Sequence, residues 1–165
     1  MIVQIRVDDR LIHGQVALVW TKELNTPLIV VANDEAAKNQ VLQMTLKMAT
    51  PTGKKLLIRS VAEAIEVFKN PKGQDKRIFV LTNSVADANA IAQAITDVGA
   101  VNVANVGRFD KSEKASQVRL SPTVLLNPNE LQAAKELSKL AIPTYSQVLP
   151  TNQVQTLKKL MSQGS

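Results

Sequence analysis

The fold class predicted for residues 1–165 is α/β: a single domain on an open, twisted, mainly parallel sheet, with helices on both faces and a late, antiparallel edge strand. Three observations predict it. Short β-branched runs alternate with amphipathic stretches from residue 1 to residue 106, and the turns between them are short. One run, Pro27 to Ala32, is apolar throughout, as a strand buried on both faces must be. Regular βα alternation with short connections makes successive strands parallel and covers the sheet from both sides.

The elements follow in order. Met1 to Val7 alternates apolar and polar side chains and reads as a strand, and Gln15 to Leu24 reads as an amphipathic helix. After the strand Pro27 to Ala32, Asn33-Asp34-Glu35 opens a helix in which Val41, Leu42, Thr45, Leu46 and Met48-Ala49 recur at helical spacing, ended by the turn Thr50-Pro51-Thr52-Gly53. Lys54 to Arg59 is the third strand, followed by the capping box Ser60-Val61-Ala62-Glu63 and a helix carrying Ala64, Ile65, Val67 and Phe68. Asn70-Pro71-Lys72-Gly73 closes that helix. Arg77 to Thr82 is the fourth strand, and Ser84 opens a helix that runs to Val98-Gly99.

The fifth strand, Ala100 to Val106, ends in Gly107-Arg108-Phe109-Asp110 and a polar loop, so the alternation breaks here. Gln117 to Leu120 and Thr123 to Leu126 are short strand candidates around Ser121-Pro122. Asn127-Pro128-Asn129-Glu130 combines an N-cap, a Pro at the first helical position and a capping-box Glu, and opens the helix Leu131 to Leu140. Pro143 to Leu149 is expected to be the late edge strand. A last helix is expected from Thr151-Asn152, with Val154, Leu157, Leu160 and Met161 on one stripe. Trp20, Met44 and Met48 sit at helical spacing and are assigned to the core.

Composition narrows the chemistry. The chain has 165 residues, 45% hydrophobic and 21% charged, which suits one well-packed domain and not a disordered segment. It has no cysteine, which removes disulfides, thiolate metal sites and thiol nucleophiles, and its one histidine cannot build a histidine-rich metal site. The opening strand pattern has no leader-like features and no apolar run is long enough to span a bilayer, so a cytoplasmic location is expected. The net charge of +6 is spread over pairs such as Lys54-Lys55, Lys76-Arg77 and Lys158-Lys159, and aromatics are only 3%, so no nucleic-acid partner is expected. Loops for nucleotide phosphates of the Gly-x-x-x-x-Gly-Lys-Ser/Thr or Gly-x-Gly-x-x-Gly type are missing, as is Gly-x-Ser-x-Gly.

The candidate chemistry lies in Asp8-Asp9-Arg10-Leu11-Ile12-His13-Gly14-Gln15-Val16, at the first strand-to-helix corner. Open α/β sheets bind ligands at such corners, where free N–H groups and the positive end of a helix converge. Gly14 lets the backbone approach an anion near Gln15 and Val16, and Arg10 offers a planar, permanently charged fork for phosphate oxygens. An imidazole beside such a cradle suggests phosphoryl chemistry on the ring itself; a lone loop histidine is also a common solvated or capping residue. Asn33-Asp34-Glu35 lies at the same sheet edge and either orients the imidazole or binds Mg²⁺ with phosphate, or only caps its helix. Asn105-Val106-Gly107-Arg108 ends the fifth strand on that edge, with Arg108 either a second phosphate clamp or a solvated loop residue.

The run Arg6 to Val16 resembles the active-site loop of the IIB components of the mannose/fructose/sorbose family of the bacterial sugar phosphotransferase system (PTS). Further blocks are similar in the family's order: Trp20-Thr21-Lys22, Ile29 to Glu35, Leu46 to Pro51, Asn105-Val106-Gly107 and Gln147-Val148-Leu149-Pro150. The resemblance implies one PTS IIB domain over residues 1–165, a protein-N-phosphohistidine:sugar phosphotransferase that needs no cofactor. His13 would be the phospho-acceptor, Arg10 the phosphate-facing catalytic residue and Gly14 and Gln15 part of the phosphate loop, with Asp9, Asp34, Asn105 and Gly107 as auxiliaries. It also implies as partners a IIA donor, the membrane IIC and IID components and the sugar they admit, with the chain held peripherally at the inner face of the membrane. The sequence leaves homo-oligomerisation open. The chain departs from the family pattern at Arg108-Phe109-Asp110 and at Ser121-Pro122.

Two other functions compete with the carrier. One is a non-catalytic regulatory domain that keeps the anion site; the other is a phosphatase using His13 covalently, which the absence of a second histidine disfavours. A basic rim of Arg6, Arg10 and Arg108 around the loop is expected to meet acidic partner faces.

Overall fold

Residues 1–163 are described by the computed structural model. Strands β1 (Ile2–Asp8), β2 (Leu28–Ala32), β3 (Lys55–Arg59), β4 (Ile78–Thr82), β5 (Val101–Asn105), β8 (Thr144–Ser146) and β9 (Gln155–Thr156) form one sheet in the order β3-β2-β4-β1-β5-β8-β9. Every pairing is parallel except β8 with β9. Strands β6 (Val118–Ser121) and β7 (Val124–Leu126) form a separate antiparallel hairpin, tied to the end of β5 by Val106 N–H to Thr123 O and Leu125 N–H to Val106 O, both 3.0 Å.

Strand order decides which face each helix covers. From β1 the chain moves outward through β2 to β3, and α1 (Val16–Leu24), α2 (Asp34–Ala37) and α3 (Gln40–Ala49) lie on the first face of the sheet. It then returns to β4 and crosses to β5, so right-handed crossovers put α4 (Val61–Lys69) and α5 (Val85–Ala94) on the opposite face. Two later helices, α6 (Pro128–Ser138) and α7 (Leu157–Gln163), join that second layer. Adjacent strands β1 and β4 thus send their chains to opposite faces. Their carboxyl ends border a crevice of the kind where such sheets bind ligands.

Each face has its own apolar core. Trp20, Ile29, Val31, Leu46, Phe79 and Leu81 pack on the first, and Ile5, Val7, Val80, Ile91, Val103 and Leu137 on the second. The helix ends follow the capping residues seen in the sequence. Ser60 and Glu63 close a capping box on α4, Ser84 caps α5, and Asn127 caps α6 behind Pro128.

The structure corrects several expectations. The helix expected from Asn33 through Ala49 is two helices, because the Asn39 side chain accepts the N–H of Leu42 and starts α3 afresh. Met44 and Met48 are not core: they are 64% and 85% exposed. Leu42, Leu46 and Ala49 fill the inner face of α3, so the stripe carrying Val41, Met44 and Met48 turns outward. The antiparallel edge strand is present, but Gln155–Thr156 forms it. The stretch expected at the edge is shorter, only Thr144–Ser146, and pairs parallel with β5 one place in. It ends early because the carbonyls of Gln147 and Val148 turn away to side chains of the central layer. The last helix starts at Leu157, not Thr151.

Candidate active site

The corner after β1 is anchored from below. Leu11 and Ile12 are buried on the first-face core, at 6% and 4% exposure, so the loop between them and α1 has little freedom. Leu11 (φ 59°) and Gly14 (φ 51°) both take left-handed backbone, and Leu11 N–H closes the first turn on Asp8 O at 2.9 Å. This winding brings His13 back over the end of β1 and opens α1 at Gln15, whose side chain makes no capping bond. The first N–H groups of α1 therefore stay available to an anion.

The group that receives His13 is Asp8, a residue outside the expected site set. Its carboxylate is fully buried. Oδ2 accepts from Arg6 Nη2 at 3.2 Å, His13 Nε2 at 3.3 Å and Asn105 Nδ2 at 3.3 Å, while Oδ1 accepts the backbone N–H of Arg10 at 3.1 Å. A carboxylate in its ionised form only accepts, so the contact is a hydrogen bond in the tautomer that carries the ring proton on Nε2, and that tautomer presents the lone pair of Nδ1. The imidazole side chain is 28% exposed, enough for a reactant to reach it.

Arg6 lies beneath, 1% exposed, and is not part of a basic rim as expected. Its Nη1 donates to the carbonyls of Gln147 (3.4 Å) and Val148 (3.1 Å), and the guanidinium carbon sits 5.6 Å from the centre of the Trp20 ring. Burial pulls the guanidinium below its usual value, and Asp8 pushes it back. Trp20 holds the same Val148 carbonyl through Nε1 at 2.8 Å, and Asn102 donates to Gln147 O and accepts its N–H, both at 2.9 Å. Gln4, Arg6 and Asp8 alternate along one side of β1. In a central strand covered on both faces, polar side chains at that spacing have to be buried and paired, and this was the available signal for Arg6 and Asp8.

The expected auxiliaries divide. Asn105 joins the site through Asp8. Asp9 accepts Arg108 N–H at 3.2 Å and links the histidine loop to the loop after β5; burial raises its carboxyl, against that bond and the charges of Arg108 and Arg10. Gly107 (φ 97°) turns that loop against β7, where an added Cβ would stand 2.1 Å from Leu125 O. Asp34 does not meet the imidazole: its Oδ1 accepts the N–H of Val61 at 2.9 Å and caps α4. The side chain of Arg10 is exposed and makes no hydrogen bond among the described residues, which leaves its fork free. Arg108 is also exposed, stacked 5.9 Å from the ring of Phe109. No cluster suited to a metal occurs among the described residues.

Comparison with known proteins agrees with the fold. The family description "PTS system sorbose subfamily IIB component" matches residues 2–165. The chain belongs to the sorbose-type IIB family. Among its relatives is a "Probable phosphotransferase enzyme IIB component" of Streptococcus pyogenes serotype M6, 63% identical over 98% of this chain and all of that one. The sorbose-specific EIIB component of Klebsiella pneumoniae is 32% identical over 83% of this chain and 80% of its own. The crystal structure of the IIBSor domain of the Klebsiella pneumoniae sorbose permease superimposes with a TM-score of 0.89 at 28% identity, covering 99% of this chain and 98% of that one. A sorbose-type IIB component is a phosphocarrier of a sugar phosphotransferase system and works with other components of that system. No helix among the described residues is long and apolar enough to cross a membrane.

Proposed function

We propose that this IIB component takes a phosphoryl group on His13 from a phosphorylated IIA component and passes it to a sugar entering through membrane IIC and IID components, working at the inner face of the membrane. The observation that carries this is the Asp8–His13 pair. It engages Nε2 and leaves Nδ1 as the nucleophile.

In the first step the Nδ1 lone pair attacks phosphorus, and the N–P bond of the donor phosphohistidine breaks with its electrons returning to the donor ring. The donor, protonated on its other nitrogen, leaves as neutral imidazole. His13 keeps its Nε2 proton and becomes a phosphoimidazolium opposite the Asp8 carboxylate. Arg10 and the N–H groups at the start of α1 offset charge on the equatorial oxygens. In the second step a sugar hydroxyl attacks phosphorus, the N–P electrons return to Nδ1, and the hydroxyl proton passes to solvent.

The test is phosphate transfer from phosphorylated IIA, followed by mapping of the label. Acid-labile, base-stable label is expected on His13 alone, and His13→Ala should abolish it with the circular dichroism spectrum unchanged. Label on Ser, Asp or Lys, or label that survives the substitution, rules the assignment out.

A further inference from the structure

Arg6 touches none of the reacting atoms, yet it is among the largest fully buried side chains of the described residues. Burying a guanidinium is costly unless it is paired, and this one is matched by a single carboxylate, Asp8, which is also the carboxylate that holds His13. Its Nε finds no partner. A salt bridge kept only for stability would not need to share its acceptor oxygen with the one histidine of the chain.

We propose that Arg6 is a positioning residue for phosphoryl transfer: its buried charge keeps Asp8 an anion that accepts, and never supplies, the proton on His13 Nε2. This rests on the reading of His13 as phospho-acceptor. Without a cation beneath it, a buried Asp8 carboxylate is an uncompensated charge and takes up a proton. A protonated Asp8 donates to Nε2 in place of accepting from it. The ring proton then sits on Nδ1, and the nucleophilic lone pair is lost.

The same logic governs the phosphorylated state. With Arg6 present, the proton stays on Nε2 and the N–P bond breaks to release neutral imidazole. With the proton on Asp8, the bond would have to release imidazolate, a much poorer leaving group. Arg6 therefore acts on both halves of the relay through one proton. The backbone carbonyls of Gln147 and Val148 and the face of Trp20 hold its guanidinium where it can do this.

The experiment uses the full chain, the variants Arg6→Gln and Arg6→Lys, and phosphoramidate as a small donor, whose P–N bond breaks to release ammonia as Nδ1 bonds to phosphorus. Imidazole ¹⁵N shifts of the unphosphorylated protein, above the pH where the ring protonates, report the tautomer. The wild type should show the proton on Nε2 and Arg6→Gln a shift toward Nδ1. Labelling by phosphoramidate should slow roughly 10- to 1,000-fold in the Gln variant, as a wrong imidazole tautomer slows other histidine-dependent reactions. Arg6→Lys should restore the tautomer and most of the rate. A folded Gln variant with the wild-type tautomer overturns the proposal, whatever its rate.

If Arg6→Gln does not fold, the ¹³Cγ shift of Asp8 in the wild type decides. It should remain that of a carboxylate before and after phosphorylation, and a protonated Asp8 in either state overturns the proposal. Failure to label wild-type His13 at all would count against the carrier reading, and the tautomer measurement would still test Arg6.

Discussion

Arg10 and Arg6 show how two arginines four residues apart acquire opposite duties. Arg6 points into a central strand layer and is consumed by Asp8 and two carbonyls, whereas Arg10 contributes only its backbone N–H to Asp8 and leaves its side chain in solvent. A free fork three positions before the proposed acceptor His13 is suited to phosphate oxygens. Arg10→Lys keeps the charge and loses the bidentate geometry, so transfer should slow by roughly 10- to 1,000-fold, the loss of one or two charge-assisted contacts in the transition state. The thermal midpoint should hardly move. Unchanged transfer with a lowered midpoint would make Arg10 structural. At this scale the sequence was informative about what is exposed and local, namely the histidine, its glycine and the free arginine. The partner of the histidine, Asp8, was signalled only by the polar alternation of Gln4, Arg6 and Asp8 along a central strand, and its bond to Asn105, 97 residues away, is a contact that no local periodicity encodes.

At the level of elements, the N-terminal caps were legible because they act over three or four residues, and Ser60, Ser84 and Asn127 sit where capping predicts. What escaped the sequence is the cap that one helix lends another. Glu130 of α6 accepts the N–H groups of Val85 (2.7 Å) and Ala86 (2.9 Å) at the start of α5, and Asp34 does the same for Val61 of α4. These bonds cross 45, 44 and 27 positions of sequence. Burial raises the Glu130 carboxyl above its ordinary 4.5, outweighing the two backbone bonds that lower it. The folded state then binds this proton more readily than the unfolded chain, so the contribution is fully present below the ordinary value and is lost as pH rises through the raised one. Glu130→Gln removes the titration. Urea midpoints of wild type and variant, measured from neutral pH down into the ordinary carboxylate range, should show the wild type gaining on the variant as pH falls. A wild type that loses ground on acidification would mean that the charged cap outweighs burial. The outward stripe of α3 was illegible for a different reason: Val41, Met44 and Met48 repeat as regularly as the buried stripe, and pattern alone does not say which one faces the sheet.

Over the whole molecule, the reversal of strand order at β1 and β4 collects the histidine loop, the loop after β5 and the first turn of α1 at one edge. The proposed relay would have that edge serve two partners in turn, which favours transient contacts steered by charge over large apolar ones. Removing Arg6 from the expected basic rim leaves its two exposed members, Arg10 and Arg108, with the backbone N–H of Arg108 tied to Asp9 and the exposed ring of Phe109 beside the Arg108 guanidinium. The net charge of +6 adds a diffuse positive field. On the proposed relay the matching partner would be an acidic IIA face, and association with phosphorylated IIA should slow severalfold as ionic strength rises to about 0.15 M, where exposed charges are screened over about 8 Å. Transfer within a preformed complex should change much less, since Asp8 and Arg6 lie out of reach of the salt. Stopped-flow kinetics separate the two steps, and the double variant Arg10→Gln/Arg108→Gln should flatten the salt dependence of association. A wild-type association rate that ignores salt would assign this edge to contacts of another kind and leave the positive charge of the molecule without a part in the relay.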